Sequence, residues 1–174
     1  MTMLIHLIRV AYGLLLTMAY CSAGDKEQLL PYLNQLEGRW VGHYSIHTSI
    51  NKYKEEFTVE QQYWMHDGVL HGVFAAKRST GLESASSRTF IQDGRLILIV
   101  SRSTGEETFI GVLAEGWLIW LPEDVKRAND YQIREKIVRH ASGYQLVSES
   151  FETYETKNGP AKIRISGSLL RSSD

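Results

Sequence analysis

Histidines and paired carboxylates are the side chains of this 174-residue chain that could perform chemistry, but their spacing separates them. His43 and His47 share one face of a predicted strand. Four residues along a strand span about 13 Å, which is too far for two ligands of one metal ion. Glu55-Glu56 and Glu106-Glu107 are adjacent pairs, and adjacent strand residues point to opposite faces. We therefore expect no metal site and no cofactor.

Catalytic motifs are missing from the sequence. It contains no Gly-x-Ser-x-Gly elbow, no His-Glu-x-x-His pair and no phosphate-binding glycine loop, and its one cysteine, Cys21, lies in an apolar leader. Glu135 and Glu152 both read as interior and could share a proton, with a solvated barrel mouth as the alternative. We expect that the protein is not an enzyme.

Arg88 is the charged residue that most strongly suggests a binding site. The strand register places it in the interior, near Tyr63 and Gln61. A buried guanidinium without a partner is costly, so we expect Arg88 to meet a carboxylate, a polar cluster or an anionic ligand, and we assign it to the ligand site. The alternatives are a structural pair with Glu107 or Glu152, or a side chain that extends to the barrel rim.

Turn signals recur about every dozen residues and divide the chain into strands. Examples are Asp67-Gly68, Asp93-Gly94 and Ser79-Thr80-Gly81, in which glycine supplies the positive φ of tight turns. The pattern predicts an all-β fold: a single antiparallel up-and-down β-barrel of about ten strands, with a short helix over 25–36 before it. The predicted strands are 39–49, 54–65, 69–78, 82–92, 95–102, 106–114, 117–121, 130–141, 144–156 and 161–171. Ten strands are enough to enclose a cavity.

The turn centres also predict which residues face one another. They place Tyr63 opposite both Trp40 and Gly72, and they place His43 and His47 opposite Glu60 and Glu56 on the solvent face. Gly72 in turn is placed opposite Arg88. The residues that we expect to bind a ligand inside the barrel are Arg88, Tyr63, Gln61, Tyr44, Phe74, Phe90, Phe109 and Trp120. A one-residue bulge would invert every later assignment.

The first 23 residues resemble a secretory signal peptide. A weakly positive start precedes the apolar run 10–20, which is too short to span a bilayer, and small residues precede the expected cleavage site. We expect residues 1–23 to be removed and 24–174 to form the exported barrel domain, in the periplasm or outside the cell, without a stable membrane span. A retained anchor is one alternative. Lipidation at Cys21 is another, which the bulky Tyr20 disfavours.

A net charge of −1 gives no electrostatic attraction to nucleic acid, so we expect no nucleic-acid partner.

Gly38-Arg39-Trp40, at the start of the first strand, resembles the Gly-x-Trp signature of the calycins, the lipocalin and fatty-acid-binding-protein group of barrels. In that family the Trp closes one end and an Arg near the end of the last strand packs over it; Arg171 occupies that place. The resemblance implies a lipocalin-like barrel, with Gly38, Trp40 and Arg171 as its structural signature. Nitrobindin-like members hold haem through a His near the final strand, and 163–168 contain none.

Three readings of the function remain open. The first is an exported, lipocalin-like binding protein that holds a small hydrophobic or amphipathic ligand. The alternative is a non-enzymatic interaction module of the cell envelope that forms a homodimer or binds a partner through an outer apolar sheet face. The residues expected on that face are Leu96, Leu98, Val100, Ile110, Val112, Trp117 and Ile119. An enzyme that uses Arg88 and an interior Glu is a third reading.

Overall fold

A computed structural model describes residues 24–172 apart from 51, 142 and 158; the side chains of 24–28 and 125 are not described. The predicted signal peptide lies outside the described residues. Helix α1, Gly24–Leu36, is followed by ten strands. They are β1 Gly38–Thr48, β2 Lys54–His66, β3 Val69–Arg78, β4 Gly81–Gln92, β5 Arg95–Arg102, β6 Gly105–Ala114, β7 Trp117–Pro122, β8 Tyr131–His140, β9 Gly143–Thr156 and β10 Gly159–Arg171. A short 3-10 helix, Val125–Arg127, lies between β7 and β8.

Each strand pairs antiparallel with its neighbours in sequence, and β1 also pairs with β10, so that the sheet closes into a barrel. The predicted all-β, up-and-down, ten-strand barrel with a short N-terminal helix is confirmed. One end, which we call the closed end, lies beside α1. At the other end, the mouth, the chain between β7 and β8 forms the longest connection.

Two kinds of two-residue turn join the strands, and they explain an error in the predicted register. Asp67-Gly68 and Asp93-Gly94 have positive φ at both residues, as a type I′ hairpin turn requires. At Ser79-Thr80-Gly81, however, Gly81 pairs with Arg78 and belongs to β4. The loop is therefore one residue shorter than a Ser-Thr-Gly turn centre implies, and every residue of β4 faces the opposite way.

The interior placement of Arg88 and Phe90 is therefore wrong. Arg88 pairs with His71, and Gly72 pairs with Ser87. The error persists through β5. At the second Ser-Thr-Gly turn Gly105 pairs with Arg102, and the same shift by one residue restores the predicted faces from β6 onward.

The predicted pairing of β1 with β2 is also wrong, but by two residues, so its faces are kept. Trp40 pairs with Gln61, while Tyr63 pairs with Gly72 as expected. His43 lies opposite Thr58 and His47 opposite Lys54, which replaces the predicted histidine–glutamate pairs.

Trp40 closes the barrel beneath α1. Its ring is fully buried, its Nε1 donates a hydrogen bond to the Leu36 carbonyl at 2.7 Å, and the Arg171 guanidinium lies 5.7 Å from the ring centroid. Arg171 also donates to the Glu37 carbonyl, and a side chain at Gly38 would meet the guanidinium. Trp40 and Arg171 pair directly in the β1–β10 ladder. The contact expected from the calycin resemblance is thus present.

Helix α1 packs against this end through one face, formed by Leu29, Leu33 and Leu36, all buried. Leu30 is exposed, since it falls outside the i, i+4, i+7 stripe. The Tyr32 hydroxyl donates to the backbone carbonyl of Glu135 at 3.3 Å and ties the helix to β8.

The corrected register predicts opposite thiol reactivity at two neighbouring positions of β4. In a Cys21→Ser background, Arg88→Cys should react rapidly with a bulky maleimide, because the Arg88 side chain is 53% exposed on the outer face. Thr89→Cys should be protected until the protein unfolds, because Thr89 is 4% exposed and faces inward. Labelling rates followed by mass spectrometry test this, and faster reaction at position 89 would contradict the register.

Candidate functional site

The barrel encloses a cavity of about 310 Å³ between the closed end and the mouth. This volume lies at the small end of the range for ligand pockets. Leu36 and Leu70 border it toward the closed end, and Arg78, Arg102 and Tyr131 border it toward the mouth. Apolar walls come from strands all around the barrel: Ile46, Phe57, Phe74, Leu98, Val100, Ile133 and Ile165. The site is therefore an internal space rather than a surface groove.

A chain of hydrogen bonds runs along one wall of the cavity. Tyr63 Oη donates to Gln61 Oε1 at 3.2 Å, and Gln61 Nε2 donates to Tyr44 Oη at 3.4 Å. Tyr44 shares a further side-chain hydrogen bond with Ser148 on β9. Two phenols, an amide and a serine hydroxyl are thus held in fixed order in an otherwise apolar space, where polar groups discriminate strongly between ligands.

Glu135 on β8 lies at the end of this polar wall. It pairs with Ser148 on one side and with Leu118 on the other, and its side chain borders the cavity. Its Oε1 accepts a hydrogen bond from Trp120 Nε1 at 3.1 Å. Among the described residues, Oε2 accepts none. Every fully buried side-chain oxygen in the described part of the chain has a hydrogen-bond partner. Oε2 has none, so it is not fully buried and is open to the cavity that Glu135 borders.

Burial raises the pKa of Glu135 above its usual 4.5, and the Trp120 hydrogen bond opposes that rise. The neighbouring phenols respond in turn. Burial, with a smaller effect of the Glu135 charge, raises the pKa of Tyr44 to about 12 and that of Tyr63 well above 10. The pKa of Tyr32 is also raised, by burial first and by the Glu135 charge second. Burial and the Trp120 hydrogen bond are the causes of the pKa shift at Glu135, and no cation of the described residues is among them.

Charged residues at the mouth are held in pairs. Glu55, with a side chain 7% exposed, accepts hydrogen bonds from the Ser79 backbone N–H at 2.8 Å and from Arg78 Nη2 at 2.7 Å. The hydrogen bond from the Ser79 backbone, and to a smaller extent that from Arg78, lowers the pKa of Glu55 to about 2. Arg78 also pairs with Glu83 at 2.9 Å and lies 5.4 Å from the centroid of Phe57. This guanidinium is therefore neutralised within the protein.

The opposite side of the mouth repeats this arrangement. Arg102 pairs with Glu107, and Arg127 bridges Glu107 at 3.7 Å and Glu152 at 3.5 Å. Arg127 also lies over the ring of Tyr131, 5.6 Å from its centroid. The loop between β7 and β8 thus lies across the rim of the mouth, held by charges that have partners.

The structure brings together five of the eight residues predicted to bind a ligand: Tyr44, Gln61, Tyr63, Phe74 and Trp120 all line the cavity. Phe109 faces the interior, but it is 1% exposed and packs edge-on against Tyr131 in the core.

Arg88 and Phe90 lie on the outer face, where Arg88 approaches Glu106 at 3.7 Å. Arg88 is therefore not part of the cavity.

The proposed sharing of a proton between Glu135 and Glu152 is wrong. Glu152 pairs with Tyr131, four residues along β8 from Glu135, which is about 13 Å. Glu152 lies at the mouth with Arg127, whereas Glu135 lies deep in the barrel. The two carboxyls belong to separate environments.

Sequence reasoning identified Glu135 as interior but left it out of the binding site, and it missed Ser148 and the arginines of the mouth, Arg78 and Arg102. Serine carries no signal of its own, so nothing in the sequence marked Ser148 as part of a site. For Arg102 the available signal was the Ser-Thr-Gly turn, because pairing with Gly105 turns its side chain inward.

The outer apolar face also differs from the prediction. Leu96, Leu98 and Val100 point inward, since they share the face of Phe109 and Gly111. Their places outside are taken by neighbours, so that the face consists of Phe90, Ile97, Ile99, Ile110, Val112, Trp117, Ile119 and Leu121. Arg134 and Lys136 lie over the Trp117 ring, 4.9 and 4.3 Å from its centroid.

No protein-family model matches this chain, and no curated protein sequence matches it. The closed ten-strand antiparallel barrel with one short helix fits a calycin-like fold. Across residues 24–172, apart from the three that are not described, no helix is long and apolar enough to cross a membrane. In the same part of the chain, no three His, Cys, Asp or Glu side chains gather in a group that could hold a metal ion.

Glu135 should make the folded protein less stable as pH rises. The pKa of Glu135 is raised above 4.5 in the folded state. Between pH 4.5 and that folded pKa, the folded state therefore binds more protons than the unfolded state. The stability that the protonated form contributes is therefore lost as pH rises through the folded pKa. Glu135→Gln cannot titrate and retains an acceptor for Trp120, so its free energy of unfolding should fall less with pH.

Urea denaturation between pH 5 and 8 measures this difference, with Glu155→Gln on the outer side of β9 as the matched control. Glu155 is exposed, so its variant should follow the wild-type profile. A Glu135→Gln profile parallel to that of the wild type would contradict the assignment of Glu135 as a buried acid without a cationic partner.

Proposed function

We propose that this protein is an exported, non-enzymatic binding protein of lipocalin-like type, which holds a small hydrophobic or amphipathic molecule inside its barrel. The observation that carries the proposal is the internal cavity of about 310 Å³, with apolar walls and one ordered polar wall. Apolar enclosure with a few fixed polar groups is the usual composition of a small-molecule site.

The polar wall favours a ligand-binding cavity over a filled interior with a purely structural role. A filled barrel is stabilised most by apolar side chains, and each buried polar group costs free energy unless it is paired. Here Tyr44, Gln61 and Tyr63 satisfy one another, while Glu135 keeps one oxygen open to the cavity. Groups arranged in this way contribute to recognition of a bound molecule.

The lipocalin assignment rests on the closed end. Trp40 beneath α1, with Arg171 over its ring, is the arrangement that the Gly-x-Trp resemblance implies. The proposal of export rests on the leader sequence of residues 1–23.

Binding of a neutral apolar dye tests the proposal. N-phenyl-1-naphthylamine should become fluorescent with the wild-type protein. Ala85→Trp, on the cavity side of β4, should abolish the signal because the indole occupies the cavity. Ala75→Trp is the matched control, since Ala75 lies on the other face of the neighbouring strand β3. Equal fluorescence from all three proteins, or none from the wild type, would contradict the proposal.

A second candidate function is association through the outer apolar face. Phe90, Ile97, Ile110 and Leu121 lie side by side across four strands, and Val112 beside them is 42% exposed. A contiguous apolar surface of this kind is typical of an interface, and a homodimer is the simplest symmetric assembly.

Sedimentation velocity tests this second candidate. If the face forms a dimer, Val112→Glu should shift the protein to the monomer, because it buries a charge in the interface. Val73→Glu, an equally exposed valine on the outer face of β3, should leave the dimer intact. A monomeric wild-type protein at high concentration would exclude the dimer and leave the cavity proposal unaffected.

A further inference from the structure

The charges inside the barrel narrow the chemistry of its ligand. Glu135 is the ionisable acid deep in the cavity, and Trp120 Nε1 is the donor to its Oε1. The arginines that border the cavity, Arg78 and Arg102, lie at the mouth and pair with Glu55, Glu83 and Glu107. A carboxylate ligand would therefore meet an acid at depth and no unpaired guanidinium among these residues.

Resting on the proposed binding function, we propose that the cavity binds a small organic amine, with its protonated nitrogen at Glu135 Oε2 and its apolar body between Phe57, Phe74 and Ile165. An ammonium group donates three hydrogen bonds and accepts none. It therefore matches an open carboxylate oxygen. The pair needs no further counter-ion, because one positive charge meets one negative charge.

The rings around Glu135 also suit a cation. Tyr44, Tyr63 and Trp120 line the cavity on three strands, and Trp120 Nε1 donates to Glu135. Glu135 pairs with Ser148, and both Ser148 and Tyr44 pair with Gly167, so Tyr44 lies on the adjoining wall. Aromatic faces attract an ammonium group, and the attraction is strongest where water is excluded. Hydroxyl oxygens of Tyr44 and Ser148 are additional acceptors on the adjoining wall.

The volume limits the size of the amine. About 310 Å³ lies at the small end of ligand pockets and suits a compact body of one or two rings. Since Glu135 lies toward the closed end, the amine should enter head first, with its apolar part toward the mouth.

Isothermal titration calorimetry with three probes of equal shape tests the proposal: 3-phenylpropylamine, 3-phenylpropan-1-ol and 3-phenylpropanoate. The wild-type protein should bind the amine most tightly and the carboxylate least. Glu135→Gln should weaken amine binding by about ten- to a hundredfold, which is the range for a hydrogen bond to a charged group, and should weaken alcohol binding less, because the alcohol carries no charge. Glu155→Gln is the control for net charge and should bind like the wild type.

The outcomes separate this inference from the function on which it rests. Equal or tighter binding of the alcohol or the carboxylate would overturn the amine assignment while the barrel remained a binding protein. Amine binding that Glu135→Gln does not weaken would also overturn it. Failure of all three probes in a protein that still binds N-phenyl-1-naphthylamine would overturn the inference alone, whereas loss of dye binding as well would remove both. Dye binding by Glu135→Gln verifies that the variant is folded.

Discussion

Closure of the sheet between β1 and β10 is the constraint on which the rest of this structure depends. The two strands pair from Trp40 with Arg171 to Thr48 with Ile163, so the sheet retains no free edge between them. Once the ladder is closed, alternate residues of all ten strands must share one interior. The same pairing brings Arg171 onto Trp40, and hence it seals the end on which α1 packs.

Closure also forces glycine at places where strands or side chains come closest. A side chain at Gly167 would collide with the Tyr44 ring, and one at Gly42 with the Ser168 carbonyl. Gly167 lets Tyr44 lie across the interior and reach Gln61 and Ser148, and Gly42 lets β1 approach the backbone of β10. The polar wall of the cavity is therefore a consequence of backbone packing in β1 and β10 as well as of its own hydrogen bonds.

The strand pattern could be predicted from the sequence, because turn residues and alternation are local signals. Predicted and observed strands differ by at most two residues at either end, and the closed-end pair of Trp40 and Arg171 followed from parity and the family resemblance. The facing of β4 and β5 could not be predicted, since it depends on whether Gly81 belongs to the turn or to the strand. That single residue moved Arg88 from the interior to the surface and replaced a predicted cation with an interior acid as the charged group of the site.

The alternation of inward and outward residues predicted that Glu135 lies inside. Its importance depends on its neighbours being neutral, and only the assembled barrel shows that. Tyr32 comes from the helix, Tyr44 and Tyr63 from the first two strands and Trp120 from the seventh, so no local pattern shows that a carboxyl will be enclosed by neutral groups. The arginines that could have neutralised it are held at the mouth by Glu55 and Glu107.

A crystal structure of the purified protein tests most directly whether the barrel is hollow around an accessible Glu135. We expect electron density for a small molecule or ordered water in the cavity, within hydrogen-bond distance of the Glu135 carboxyl. An interior in which Phe57, Phe74 and Tyr44 have moved inward to fill that space, with Glu135 enclosed by protein atoms, would contradict it.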